Sequence, residues 1–286
     1  MENRTIYALG YFDGVHLGHK ALLDACREAA KDCQSGAVTF SGHPQRLVSG
    51  NAVPLINTDA DRRQLLLGTV DTVVELPFTD KLMAMPWQDF LNMLTREHHA
   101  VGFVCGSDFR FGCKGEGTAA LLQGYCQSRN LACRIVPQQI LDGVRISSTH
   151  IRTLLSSGKI REANRFLGHS HILSGQVQTG KQLGRTIGFP TANLPYPDSL
   201  LKLPHGVYAC RAQVGGKSCD AITNIGTRPT VSGAGITVEA HILDFSGDLY
   251  GQMMTLEFLD FIRPERKFDS LSDLQRQISE DLQYFA

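Results

Sequence analysis

The chain has no excess charge of either sign: 28 Lys and Arg balance 28 Asp and Glu over 286 residues. A formal net charge of zero provides no long-range field to hold nucleic acid or an anionic membrane, so any anion site must be local. Nowhere do about 18 apolar residues run together, and the opening MENRTIYALGYFDG has no apolar stretch of secretory length. These absences predict a soluble, cytoplasmic protein without a membrane or nucleic-acid partner. The eight cysteines (Cys26, Cys33, Cys105, Cys113, Cys126, Cys133, Cys210 and Cys219) include no C-x-x-C pair and no close Cys/His spacing, which predicts free buried thiols and no zinc site. Internal repeats and low-complexity segments are also missing.

What is present is enough apolar material, 42% of the residues, for one large core or two modest ones, and the length favours two domains. TIYAL (5–9), GAVTF (36–40), DTVVELPF (71–78), VGFVCG (101–106) and ACRIVP (132–137) read as apolar, β-branched strands. Between them lie helical stretches such as 18–30 and Pro86 to His98, where Phe90, Leu91 and Leu94 share a face and Pro86 suits the first turn. Continuous apolar strands alternating with helices predict a parallel sheet covered on both sides. After a short helix, IREANRFLG, ending at Gly168, helical periodicity gives way to period-two alternation, with a Gly215-Gly216 pair suited to a tight hairpin. That texture predicts a small antiparallel barrel, closed by a terminal helix over 270–285 that packs Leu271, Leu274, Ile278, Leu282 and Phe285 on it.

The chemistry-bearing residues of the first half cluster in three segments. In GYFDGVHLGH (10–19), glycines let the backbone approach a ligand, the next helix offers free N–H groups and a positive dipole end, and His16 and His19 add donors. ISSTHIR (146–152) combines the hydroxyls of Ser147, Ser148 and Thr149, suited to capping a helix, with Arg152 on its first turn. GSDFRFG (106–112) puts polar groups directly after a strand, where open α/β sheets bind ligands. Such a set suits polyphosphate, although each segment alone is compatible with an ordinary turn or helix cap.

In this order, GYFDGVHLGH, VTFSGHP, VDTVVELPFT, GSDFRFG and ISSTHIR resemble the FMN adenylyltransferase module of the prokaryotic bifunctional riboflavin kinase/FAD synthetase family, within the H-x-G-H nucleotidyltransferases. The resemblance implies a Rossmann-like domain over 1–158 in which the FMN phosphate attacks the α-phosphorus of ATP and pyrophosphate leaves. It implies an ATP site made of Gly10, Phe12, Asp13, Gly14, His16, Gly18, His19, Asp108, Ser147, Ser148, Thr149 and Arg152, with His16, His19 and Arg152 catalytic, and a flavin contact at His43. One departure stands out. Family members commonly read T-F-E-P-H-P where this chain has Thr39-Phe40-Ser41-Gly42-His43-Pro44, which alters the flavin side of that loop.

In the second half, GQVQTGKQ (175–182) imitates a P-loop but has Gln182 where a metal-binding hydroxyl belongs and no α/β unit around it. GEGTAA (115–120) fits a dinucleotide fingerprint without its βαβ context and reads as a loop and helix start. GRTIGFPTANL (184–194) is more informative: two glycines permit a flap, Pro190 stiffens the approach, and Thr191 and Asn193 offer hard oxygens suited to magnesium. Followed by GVYA, NIGTRPT, VEAHILDFSGDLYG and IRPERKF, it resembles the riboflavin kinase module, a six-stranded antiparallel β-barrel, here over 168–286 after a linker helix at 159–167. The resemblance implies that Gly180, Gly184, Arg185, Gly188, Pro190, Thr191 and Asn193 hold Mg²⁺-ATP, with Thr191 and Asn193 as the metal ligands. It further implies flavin contacts at Asn224 and Arg263, and Glu239 as general base toward the ribityl 5′-hydroxyl. The linker reads HSHI (169–172) after FLG, another departure.

The expected function is therefore phosphorylation of riboflavin to FMN and adenylylation of FMN to FAD, both at the expense of ATP. Two alternatives remain open at this point: one live half, the kinase being favoured because most departures are N-terminal, or a flavin-binding regulator without turnover. Oligomeric state is not legible.

Overall fold

The computed structural model describes residues 4–41, 53–179, 189–230, 233–245 and 247–285. The chain forms two compact units, one of residues 1–55 and 59–148 and the other of 56–58 and 149–286.

The first unit runs β1 (Thr5–Leu9), α1 (Leu17–Ala29), β2 (Gln34–Ser41), α2 (Asp59–Leu67), β3 (Thr72–Pro77), α3 (Asp80–Met83), α4 (Trp87–Glu97) and β4 (Ala100–Gly106). It continues with the short strands β5 (Arg110–Phe111) and β6 (Gly117–Thr118), α5 (Ala119–Ser128), β7 (Ala132–Val136) and a second short pair, β8 (Ile140–Leu141) and β9 (Val144–Arg145). Five parallel strands form a sheet in the order β3-β2-β1-β4-β7. Side-chain alternation explains its two cores. Ile6 and Ala8 face α1 and α2 with Leu23, Cys26 and Leu66, whereas Tyr7 and Leu9 face α4 and α5 with Leu91, Leu94 and Leu122. Strand order reverses between β1 and β4, so a crevice opens at their carboxyl ends, the usual ligand position of such sheets.

Helix α6 (Ser148–Ser156) leads into the second unit, with α7 (Ile160–Leu167), β10 (His171–Gln176), β11 (Ala192–Leu194), β12 (Gly206–Val214), β13 (Lys217–Thr230), β14 (Gly233–Ile242), β15 (Met253–Pro264) and α8 (Leu271–Leu282). The six strands are antiparallel in the order β10-β15-β12-β13-β14-β11. The sheet curls until its ends meet, Gln178 N–H donating to the Asn193 carbonyl at 2.8 Å. Gly215 (φ 57°) and Gly216 (φ 74°) make the hairpin turn between β12 and β13, a conformation that two L-residues adopt only with strain. Gly168, left-handed at φ 78°, ends α7 at the position expected of it.

Two local expectations need correction. Pro86 is not in the first turn of α4 but is its N-cap residue, extended at ψ 147°. Thr118 in GEGTAA starts α5 as expected, its hydroxyl accepting Leu121 N–H at 3.2 Å, and in ISSTHIR Ser147 stands directly before α6 while the Ser148 hydroxyl donates to the Asp13 carbonyl at 2.8 Å. Helix α8 buries Gln277 and Asp281 instead of a continuous apolar stripe, and Leu271 stays 59% exposed. The reason is the surface beneath it, which presents arginines.

Candidate active sites

The first site grows out of the turn after β1. Phe12 (φ 60°), Gly14 (φ 84°) and Val15 (φ 39°) all take left-handed backbone, a costly conformation for the β-branched Val15. The turn brings His16 to the N-cap of α1, where its Nδ1 accepts the His19 backbone N–H at 3.2 Å. A neutral His16 therefore carries its proton on Nε2. The rings of His16 and His19 stack with centroids 3.6 Å apart and 12° between planes. Enclosure of the His19 ring, and secondarily the adjacent His16, lowers the His19 pKa well below its ordinary value, so the neutral His19 ring keeps one N–H donor. The edge of Phe12 meets His19 at 5.2 Å.

These histidines, Gly10, Gly18, Asp108, Ser147 and Ser148 line one cavity of about 350 Å³ above the β1–β4 crevice. Asp13 is buried within the turn, and its carbonyl is held by Ser148. Thr149 and Arg152 follow on α6, Arg152 one turn beyond Ser148. His43 lies outside the described residues.

Several residues of this region escaped the sequence reading. Arg145, immediately before ISSTHIR, lines the cavity and pairs with Asp108 at 2.5 Å. Tyr11 and Phe109 line both this cavity and an adjoining one of about 800 Å³, whose walls include Phe40, Phe78, Phe90 and Phe111. Burial pushes the Tyr11 phenol up to about 12, in spite of the Arg62 guanidinium 4.6 Å from its ring centroid. Arg62 is itself fully buried, donating to the Phe40 carbonyl at 2.7 Å and pairing with Asp59 at 2.9 Å. The aromatic residues are scattered from 11 to 111, most of them inside the quoted motifs, but no one segment announces that they share a cavity.

The second site is a row across the curled sheet. Cross-strand register aligns Asn193 of β11 with Glu239 of β14, Glu239 with Asn224 of β13, Asn224 with Val207 of β12, and Val207 with Arg263 of β15. Directly opposite residues point to one face. Here it is the face opposite Tyr208, Thr223 and Ala240, which are buried in the barrel interior. Neighbours in the row stand about 4.8 Å apart along the hydrogen-bonding direction. Thr191, Asn224, Glu239 and Arg263 line a cavity of about 290 Å³ whose far wall is Leu274 and Ile278 of α8.

His241, two residues beyond Glu239, bonds through Nδ1 to the Pro190 carbonyl at 2.9 Å and meets the Phe189 ring edge to face at 5.3 Å. It thereby anchors the segment that carries Thr191, a role its spacing did not announce. Pro190 and Thr191 also line a neighbouring cleft with Phe245 and Tyr250. Gly180, Gly184, Arg185 and Gly188 lie outside the described residues.

Comparison with known proteins agrees with both halves. The FAD synthetase family model matches residues 1–150 and the riboflavin kinase family model matches residues 167–286. A bifunctional riboflavin kinase/FMN adenylyltransferase of Escherichia coli is 36% identical, the alignment covering 98% of this chain and 91% of that protein. Its Listeria monocytogenes counterpart is 34% identical over 97% of this chain and 90% of its own length. The chain belongs to the bifunctional riboflavin kinase/FMN adenylyltransferase family.

A solved Streptococcus pneumoniae chain described as a macrolide-efflux protein superposes with a TM-score of 0.86 at 30% identity, over 99% of this chain and 94% of that one. Among the described residues no helix is long and apolar enough to cross a membrane. The cavity over the β1–β4 crevice belongs to the FAD synthetase region, and the row on the curled sheet to the riboflavin kinase region.

Proposed function

We propose that this chain makes FMN from riboflavin on the curled sheet and FAD from FMN at the histidine turn, within the cytoplasm, with the catalytic modules spanning 168–286 and 1–158 and a linker helix at 159–167. In the kinase module, Glu239 accepts the proton of the ribityl 5′-hydroxyl as that oxygen attacks the γ-phosphorus of ATP. The observation that carries this reading is the place of Glu239 in the row, between Asn193 and Asn224. With Thr191 and Asn193 toward ATP and Asn224 toward the flavin, the base stands where the two substrates meet.

Magnesium fits this site by donor chemistry. Among the described residues no three His, Cys, Asp or Glu side chains gather into a metal cage. The Thr191 hydroxyl and Asn193 amide oxygen would complete the shell of an ion bound to ATP phosphates, where Mg²⁺ offsets charge on the transferred group. Thr191 and Asn193 then orient the nucleotide, and His241 holds the Thr191 segment through Pro190.

In the adenylyltransferase module, neutral His16 and His19 donate N–H bonds to the ATP phosphates as charge grows on the leaving pyrophosphate. Ser147, Thr149 and Arg152 supply further donors, as does the backbone N–H of Ser148, whose hydroxyl is engaged by the Asp13 carbonyl, and Gly10, Gly14 and Gly18 let the phosphates approach the backbone. The aromatic cavity that adjoins the ATP cavity across Tyr11 and Phe109 suits an isoalloxazine ring, leaving the FMN phosphate at the boundary. Incubation with riboflavin, ATP and Mg²⁺, followed by chromatography of the flavins, tests the whole reading: FMN should appear first and FAD after it, and FMN without FAD would refute the N-terminal assignment.

A further inference from the structure

Helix α8 presents one stripe at helical spacing, Leu274, Gln277, Ile278 and Asp281, and that stripe is divided in use. Leu274 and Ile278 form the wall of the cavity facing Asn224 and Glu239. Gln277 and Asp281 are buried, 8% and 3% exposed. Both oxygens of Asp281 are taken: Oδ1 accepts from Arg263 Nε at 2.8 Å and Gln277 Nε2 at 3.0 Å, and Oδ2 accepts from Arg263 Nη2 at 2.7 Å. Gln277 Oε1 in turn accepts from Arg266 Nη2. The remaining Arg263 terminal nitrogen, Nη1, donates to the Pro264 carbonyl at 3.3 Å.

A buried ion pair is a poor source of net stability, since apolar side chains of the same volume hold two elements together as well or better. What it supplies is direction. A bidentate guanidinium–carboxylate fork fixes distance and orientation together, whereas an apolar contact tolerates sliding and rotation. Here the fork sets the rotation of α8 about its own axis, and that rotation decides whether Leu274 and Ile278 face the cavity.

We propose that Asp281 is a positioning residue of the kinase site: by engaging Arg263 it holds α8 in the one register that completes an apolar wall for the flat ring of riboflavin. Its effect is on substrate binding and not on the chemical step, because Glu239 lies across the cavity on another element. The inference rests on the reading of this cavity as the riboflavin pocket.

The test uses the full chain with Asp281→Asn, which keeps shape and removes charge. Riboflavin KM and the Kd from quenching of riboflavin fluorescence should rise about tenfold or more, the loss typical of one buried charged hydrogen bond. The kcat and the KM for ATP should stay within about threefold, and in an Arg263→Met background Asp281→Asn should have no further effect, as expected when one residue acts through the other. Should the single variant not fold, the pair Arg263→Met with Asp281→Leu restores an apolar contact without direction and should show the same weakened riboflavin binding. Parent-like riboflavin binding in a folded variant overturns the role of Asp281 while leaving the pocket intact. Equal losses in kcat and both KM values, with a lowered Tm, make the pair merely structural and overturn it also. A parent chain that binds no riboflavin refutes the pocket reading itself, and this inference falls with it.

Discussion

Glu239 is the direct register partner of Asn193: a carboxylate on β14 and an amide on β11, 46 positions apart in sequence, meet side by side on one face of the curled sheet. That adjacency places the proposed base beside the proposed nucleotide ligand, so its chemistry is separable from binding. Glu239→Gln keeps size and hydrogen bonding but removes the proton acceptor. Riboflavin phosphorylation should fall by about 10²–10⁴ with KM values within several-fold, while adenylylation of supplied FMN persists. Steady-state kinetics of the two half-reactions measure this, and near-normal kinase turnover would rule out a carboxylate base at 239.

His19→Ala should have the complementary phenotype. The imidazole is proposed to act only at the histidine turn, and loss of such a donor costs about 10²–10³ in rate. FAD formation from FMN should drop by that factor while FMN still accumulates from riboflavin. An unchanged rate of FAD synthesis would remove His19 from the mechanism.

Gly18→Ala is a subtler probe of the same turn. A Cβ at Gly18 would lie 3.2 Å from the His16 ring, which must then shift and disturb both its stacking on His19 and its cap on α1. The shift required is a few tenths of an ångström, short of the roughly 1 Å misplacement that costs about 10² in rate, so a loss of about tenfold is expected. Adenylylation should fall accordingly with the kinase reaction unaffected; equal activity in both half-reactions would show that the turn tolerates movement.

Acid should destabilise the second unit through His171. Burial, and secondarily the charge of His169, lowers its pKa from 6.5 to about 3. Below the unfolded value the unfolded chain takes up a proton that the folded chain refuses, so stability is present above pH 6.5 and is lost as pH falls toward the folded value. Each pH unit in that window removes about 1.4 kcal/mol. His171→Phe should reduce the difference in unfolding free energy between pH 7 and pH 4.5 by about 2 kcal/mol, read from denaturant titrations at the two pH values. An undiminished acid sensitivity would assign the loss to other groups.

Much of this protein was legible before any coordinates. Strands such as TIYAL and VGFVCG announce a parallel sheet because both faces are buried, so nearly every position is apolar and no alternation survives. Gly168 and the Gly215-Gly216 pair mark their turns because few other residues take positive φ without strain. The two segments that meet at the first cavity stood out for a related reason: GYFDGVHLGH and ISSTHIR concentrate their polar side chains within a few residues, so sequence distance and spatial distance coincide. Only tertiary structure could decide the rest. Arg62 and the aromatic walls around Tyr11 are dispersed over a hundred positions, and their meeting depends on sheet order. Helix α8 misled the pattern reading because periodicity reports which residues share a face, not what that face meets; arginines lay beneath, and Gln277 and Asp281 were buried to match them. The row from Asn193 to Arg263 has no local signature either. Its members come from five strands, and register, fixed by backbone hydrogen bonds between segments distant in sequence, is what makes them neighbours.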